Sequence, residues 1–184
     1  MKANKMQIAG SLILCILLSI SLWQNARAWT SIGTWPSSHQ YYRWTAPVPP
    51  SFWTYINNGA NTWTNVTPSS WIWTNDLSQG IWLYYNNIDG AGGAAGNSLF
   101  GSYITFDSSE NWYAGSGVPA ANQVDVWSVA THEFGHSLGL GHTSGIYCPG
   151  NTNDATMCQY IRWGSYYMRT LEGDDRNGVN SKYP

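Results

Sequence analysis

Charge is scarce in this chain. Among 184 residues there are 8 Lys and Arg and 10 Asp and Glu, 10 % of all positions, for a formal charge of −2. No basic cluster is available to hold nucleic acid or an anionic lipid surface, so those partners are excluded. The aromatic content of 15 %, with 12 Trp and 12 Tyr, argues against disorder and for a rigid, polar-aromatic surface of the exported kind. Histidine numbers 4 and cysteine 3, which leaves little room for soft-metal or reactive-thiol chemistry. No apolar run reaches membrane-span length: the longest, about 16 residues from Ile8 to Trp23, falls short of the roughly 20 required.

That short run reads as an export signal. Lys2 and Lys5 precede it, and Ala26-Arg27-Ala28 supplies the small-x-small pattern for cleavage after Ala28. The expected organisation is a signal peptide over 1–28 and one domain over 29–184, secreted, with an uncleaved anchor as the alternative. Cys15 lies inside the apolar run and does not resemble a lipoprotein cleavage site, so no lipid anchor is expected. The remaining 156 residues suit a single domain. Their only cysteines, Cys148 and Cys158, form an even pair bracketing Met157, and a disulfide is the default in an oxidising compartment. Closing so short a loop contributes about 2 to 3 kcal/mol on the chain-entropy account.

The periodicities predict strands over Ser38 to Trp44, Trp71 to Trp73, Ile81 to Tyr85 and Ser102 to Phe106. A helix is predicted from Ser51 to Val66, where Phe52, Tyr55, Ile56, Ala60, Trp63 and Val66 form one stripe after the break at Pro47 to Pro50. Residues 89–96 are too glycine-rich for regular structure. A second helix is predicted from capping groups at Asn122 to Asp125 as far as Leu138. This order indicates an α+β domain on one twisted sheet.

The second helix carries His132-Glu133-Phe134-Gly135-His136, followed by Gly139 and His142. Helical positions i and i+4 share a face, so His132 and His136 can address one metal ion. Gly139 suits a left-handed helix end, and Gly141 lets His142 return as third ligand. Three imidazoles leave a fourth zinc position for water, as in a catalytic centre. Glu133, adjacent to the first ligand, is the candidate general base. His39 is left over as an ordinary loop histidine.

With this extended motif the sequence resembles the matrixin-like branch of metzincin peptidases, over most of the chain beyond Ala28. Asn58 to Pro68, with Trp63-Thr64-Asn65-Val66-Thr67-Pro68, resembles the end of that family's first helix. Phe106-Asp107-Ser108-Ser109-Glu110-Asn111-Trp112 is similar to its F-D-x-x-E-x-W segment, Ala155-Thr156-Met157 to its methionine turn, and Leu171 to Val179 to its closing helix. The resemblance implies a metzincin-like α+β domain: one twisted, mostly parallel sheet with an N-terminal helix, an active-site helix and a C-terminal helix. It implies a zinc endopeptidase, with Met157 beneath the metal. It also sets one carboxylate of the Asp174, Asp175 pair on the methionine turn, the other, Asp175, meeting the new ammonium at Trp29. Departures are expected too: no cysteine-switch propeptide, no second zinc for want of histidines, and a lengthened connection from His142 to Met157.

Calcium is implied at Asp89, Asp107 and Glu110, with backbone oxygens of Gly90, Gly92 and Ala94; the alternative is a plain turn flanked by surface acids. A peptide substrate would lie along the edge strand near Ser102 to Phe106, and Tyr160, Ile161 and Trp163 would wall an apolar specificity pocket. Gln159 occupies the position where neighbouring families carry an oxyanion-assisting tyrosine, and Tyr160 follows it. The expected state is a monomer acting on protein or peptide. The competing class is a carbohydrate-binding domain that uses its aromatics as sugar platforms, or an otherwise non-proteolytic exported domain with a degenerate site.

Overall fold

Alternation of side chains builds the sheet. In β1 (His39–Trp44), β2 (Ile72–Asn75), β3 (Ile81–Asn86) and β5 (Tyr103–Asp107), Tyr42, Trp73, Ile81, Leu83, Ile104 and Phe106 point inward and are buried, while Arg43 and Trp82 pair on the opposite face. With β4 (Gly96–Leu99) the strand order is β2-β1-β3-β5-β4. The β1/β2, β1/β3 and β3/β5 pairs are parallel and β4/β5 is antiparallel. The fold is thus α+β with a mostly parallel sheet, as expected. The computed structural model describes residues 30–37, 39–64, 66, 72–143, 148–150 and 154–184. The expected signal peptide, Trp29, Ser38, Asn65, Thr67, Pro68 and Trp71 lie outside the described residues.

Two expectations need correction. The strand expected at the edge, Ser102 to Phe106, is β5 and is internal; the edge on that side is β4. Residues 89–96 were expected to be wholly irregular, yet Gly96 opens β4, because the ladder to β5 supplies hydrogen bonds that local propensity does not. Gly96 is also a close approach, since a Cβ there would lie 2.9 Å from Glu133 Oε1 and 2.9 Å from Val129 Cγ1. A further short parallel ladder, β6 (Trp112–Tyr113) with β7 (Val124–Asp125), leads into the second helix.

The first helix, α1, spans Pro50–Thr62 with Pro49 at the N-cap. It stops short of the expected Val66; Trp63 and Val66 still point into the core and are buried, so the apolar period outlasts the helix. Gly59 sits where α1 crosses the second helix, α2 (Val126–Ser137), and a Cβ there would lie 2.6 Å from Ala130 Cβ. Phe134, fully buried on α2, packs edge-on against Tyr42 at 4.9 Å and against Trp73 at 5.1 Å. Burial of such a ring contributes about 1.5 to 3 kcal/mol. The closing helix, α3 (Gly173–Lys182), begins with a capping box between Glu172 and Asp175.

Candidate metal centre and active site

The site rests on the first turn of α2. Asp125 caps the helix, accepting from Ser128 N at 2.8 Å. The same carboxylate receives Arg169 Nε at 2.8 Å and Nη2 at 2.6 Å, a buried bidentate pair. Arg169 also donates to the carbonyls of Ser116 and Gly115. Only the capping half of this arrangement was legible beforehand, since nothing local marks Arg169 as the partner.

One turn apart on α2, His132 and His136 face the same point. Gly139, at φ 85°, ends the helix in the left-handed region, and the chain returns His142. Ring centroids lie 4.6 Å apart for His132 and His136, 5.3 Å for His132 and His142, and 4.6 Å for His136 and His142. Each ring of the helical pair is oriented from behind: His132 Nδ1 donates to Thr156 O and His136 Nδ1 to Leu140 O, both at 2.7 Å. A carbonyl only accepts, so the Nδ1 atoms carry the protons and the Nε2 lone pairs face the centre. The three ligand atoms lie within 4.8 Å of one another. His136 Nε2 and His142 Nε2 are 3.1 Å apart, close to the edge of about 3.3 Å set by tetrahedral zinc with Zn–N bonds of 2.0 to 2.1 Å. Burial, reinforced at His132 by the neighbouring imidazoles, holds His132 down to about 3, and burial holds His136 down to about 4. His142 is also lowered by burial. Neutral nitrogen donors of this kind fit zinc.

Glu133 lies against Gly96 of β4 and lines the same cleft as the three histidines. Burial pushes its carboxyl up to about 8, opposed by the Ser98 hydroxyl beside it. A cleft of about 1070 Å³ opens over the histidines, with Gly96 to Ser98 on one side and Gln159, Tyr160, Ile161 and Trp163 on the other. Tyr160 is 79 % exposed.

Beneath the site, Met157 is fully buried. A Cβ at Gly135 would lie 2.3 Å from Met157 Sδ and 2.8 Å from the Trp63 ring, so the glycine inside the motif makes room for the methionine. The turn is held by Asp175, which accepts from Thr156 N at 2.8 Å, Met157 N at 3.0 Å and Glu172 N at 2.9 Å. This corrects the expected division of labour: Asp175 braces the methionine turn, and Asp174 is buried near the Thr143 hydroxyl. The ammonium assigned to Asp175 lies outside the described residues. Cys148 and Cys158 form the expected disulfide, and Thr143 N donates to Met157 O at 2.9 Å, so the third-ligand loop and the methionine turn are joined twice.

The carboxylates assigned to calcium brace their own loop. Asp107 accepts from Ile88 N, Asp89 N and Ser109 N, Asp89 from Ala94 N, and Glu110 Oε1 from Gly92 N at 2.7 Å. Among the described residues, the three histidines are the one group of His, Cys, Asp or Glu whose ligand atoms converge. Among the described residues Glu110 Oε2, which is buried, has no hydrogen-bond partner, and Gly90 and Gly92 adopt left-handed backbone with open space beside them.

A long helix with two histidines a turn apart, a third returned by a glycine turn, and a methionine turn beneath define a metzincin-type centre. The sequence profile described as Matrixin matches residues 79–184, and the chain belongs to that family. Mouse matrix metalloproteinase-25 is 44 % identical over 104 residues, covering 52 % of this chain and 15 % of that protein. Metalloendoproteinase 1 of Glycine max is 41 % identical over 105 residues, covering 52 % and 30 %. Mouse stromelysin-3 is 30 % identical over 142 residues, covering 70 % and 26 %. The chain therefore spans less than a third of these relatives' length.

Proposed function

We propose that the protein is an exported zinc-dependent endopeptidase. The observation that carries this reading is the convergence of three neutral imidazoles, two of them locked by carbonyls, beside the buried carboxyl of Glu133. Zinc held by His132, His136 and His142 would supply Lewis acidity, polarising a scissile carbonyl and acidifying water. Glu133 takes the proton from the attacking water at its carboxylate and returns it to the departing amine. The edge strand β4 offers unpaired backbone groups to an extended peptide, and Tyr160, Ile161 and Trp163 favour an apolar side chain beyond the scissile bond.

Export is supported by the N-terminal apolar run and the disulfide; among the described residues no helix is long and apolar enough to cross a membrane. Calcium in the loop 88–94 is supported by the unpartnered Glu110 Oε2 and the open Gly90 and Gly92. The protein acts as a monomer. The carbohydrate-binding alternative gives Glu133 no task. Casein hydrolysis by wild type and by Glu133→Ala decides: the variant keeps its zinc and loses activity by several orders of magnitude, whereas equal hydrolysis by both would overturn the mechanism.

A further inference from the structure

Residues 30–35 form no helix and no strand beyond an isolated antiparallel bridge of Ser31 to Leu140, yet hydrogen bonds fix them firmly. Ile32 N donates to Gly139 O at 2.8 Å and Gly141 N to Thr30 O at 2.6 Å. Trp35 Nε1 donates to Ser137 O at 2.6 Å, Trp35 N to the Tyr183 hydroxyl at 3.2 Å, and Lys182 Nζ to Ser31 Oγ at 2.6 Å. This strap is thereby bound to the segment between His136 and His142, which forms one rim of the cleft. The approach is close enough to dictate sequence: a Cβ at Gly141 would lie 1.8 Å from Thr30 Oγ1, and one at Gly139 would lie 2.1 Å from Gly33 O.

The other end of the strap reaches the opposite rim. Gly33 lies against the Phe100 ring, where a Cβ would come within 2.4 Å, and Trp35 packs on Phe100 with centroids 5.3 Å apart. Phe100 directly follows β4, so the strap spans the end of the cleft between the third-ligand loop and the edge strand. Thr30 and Ile32 line the same cleft as His142 and Ser98, and Ile32 is 50 % exposed. A peptide added antiparallel to β4, the sense in which β4 itself pairs with β5, brings its N-terminal residues to the C-terminal end of β4, where the strap lies.

We propose that the strap 30–35 is the end wall of the substrate cleft and that Ile32 is a specificity-determining residue, selecting apolar side chains on the N-terminal side of the scissile bond. This rests on the peptidase reading. Its test is digestion of peptide libraries, randomised on both sides of one bond, by zinc-loaded wild type, Ile32→Asp and Ile32→Gly, with products read by mass spectrometry. Wild type prefers apolar residues on the N-terminal side. Ile32→Asp loses about tenfold in kcat/KM for those peptides, through KM, and gains for Lys and Arg, while Ile32→Gly flattens the preference. The profile on the C-terminal side stays the same in all three. An N-terminal-side profile unchanged in both variants overturns the proposal with the peptidase reading intact, and so does a shift confined to the C-terminal side. Absence of any cleavage by wild type overturns the peptidase reading instead, and the proposal with it.

Discussion

Asp175 sits at the centre of the support beneath the metal site, and Asp175→Ala tests that support. The substitution strips three backbone N–H groups, those of Thr156, Met157 and Glu172, of their acceptor at 2.8, 3.0 and 2.9 Å. A buried donor left unsatisfied costs about 1 to 3 kcal/mol, so the gross loss over three donors is about 3 to 9 kcal/mol. Part of that is offset, because burial, against the three hydrogen bonds, pushes the Asp175 carboxyl up to about 6, equivalent to about 3 kcal/mol of penalty on its charged form. The net expectation is a loss of up to about 6 kcal/mol, most of which a domain of ordinary stability survives. The more diagnostic effect falls on metal affinity. Thr156 is both the donor to Asp175 and the carbonyl that orients His132, and loss of such outer support typically weakens metal binding 10- to 100-fold. Calorimetric melting and zinc competition against a chelator of known affinity measure the two effects, with Asp174→Asn as the control that leaves the methionine turn untouched. The pH dependence has a defined sign. A carboxyl whose folded pKa is raised binds its proton more tightly in the native state, so its contribution to stability is greatest below about pH 4 and is lost as pH rises through about 6. Wild type should therefore gain on Asp175→Ala as the solution is acidified from pH 7 to 4. An unchanged zinc affinity in Asp175→Ala would refute the relay from Asp175 through Thr156 to His132.

Other consequences can be measured independently. Glu133, with its pKa raised by burial to about 8, destabilises the metal-free fold as pH rises from about 4.5 through 8, so metal-free Glu133→Gln should melt above wild type at pH 9 and show no such advantage at pH 4; equal differences at both would contradict the burial argument. Arg169→Met leaves Asp125 charged and buried at the head of α2 and should cost about 3 to 5 kcal/mol in denaturant unfolding, whereas a loss below 1 kcal/mol would show the pair to be dispensable. Calcium removal should lower the melting temperature and expose the loop 88–94 to proteolysis with little effect on zinc content; a protein indifferent to calcium would remove the assignment to Asp89, Asp107 and Glu110.

Legibility from sequence followed the range of the interaction. His132, Glu133, His136, Gly139 and His142 were readable because helix geometry and the glycine turn after it fix their relation within eleven consecutive residues, and α2 itself was placed to within a few residues by its cap and apolar period. Strand β4 was invisible, being four residues with a glycine whose ladder depends on β5. The placing of Asp175, rather than Asp174, on the methionine turn has a similar cause. Adjacent residues on one helix differ in direction by about 100°, and only the docked position of α3 decides which of them meets the methionine turn. Gly135 looks like motif filler in sequence and Gly141 like a turn residue alone, and the close contacts that require them, Met157 with Trp63 and the strap at Thr30, lie far along the chain. Arg169 was silent for the same reason, 44 residues from its partner Asp125.

The central claim is that three imidazoles and Glu133 form a one-zinc hydrolytic centre. Titrating zinc into metal-free protein beginning at Trp29, while following casein hydrolysis, tests it most directly. Activity should be absent at the start, rise in proportion to zinc and level off at one equivalent per chain. Hydrolysis that persists without metal, or a fully zinc-loaded protein that cleaves nothing, would contradict the account.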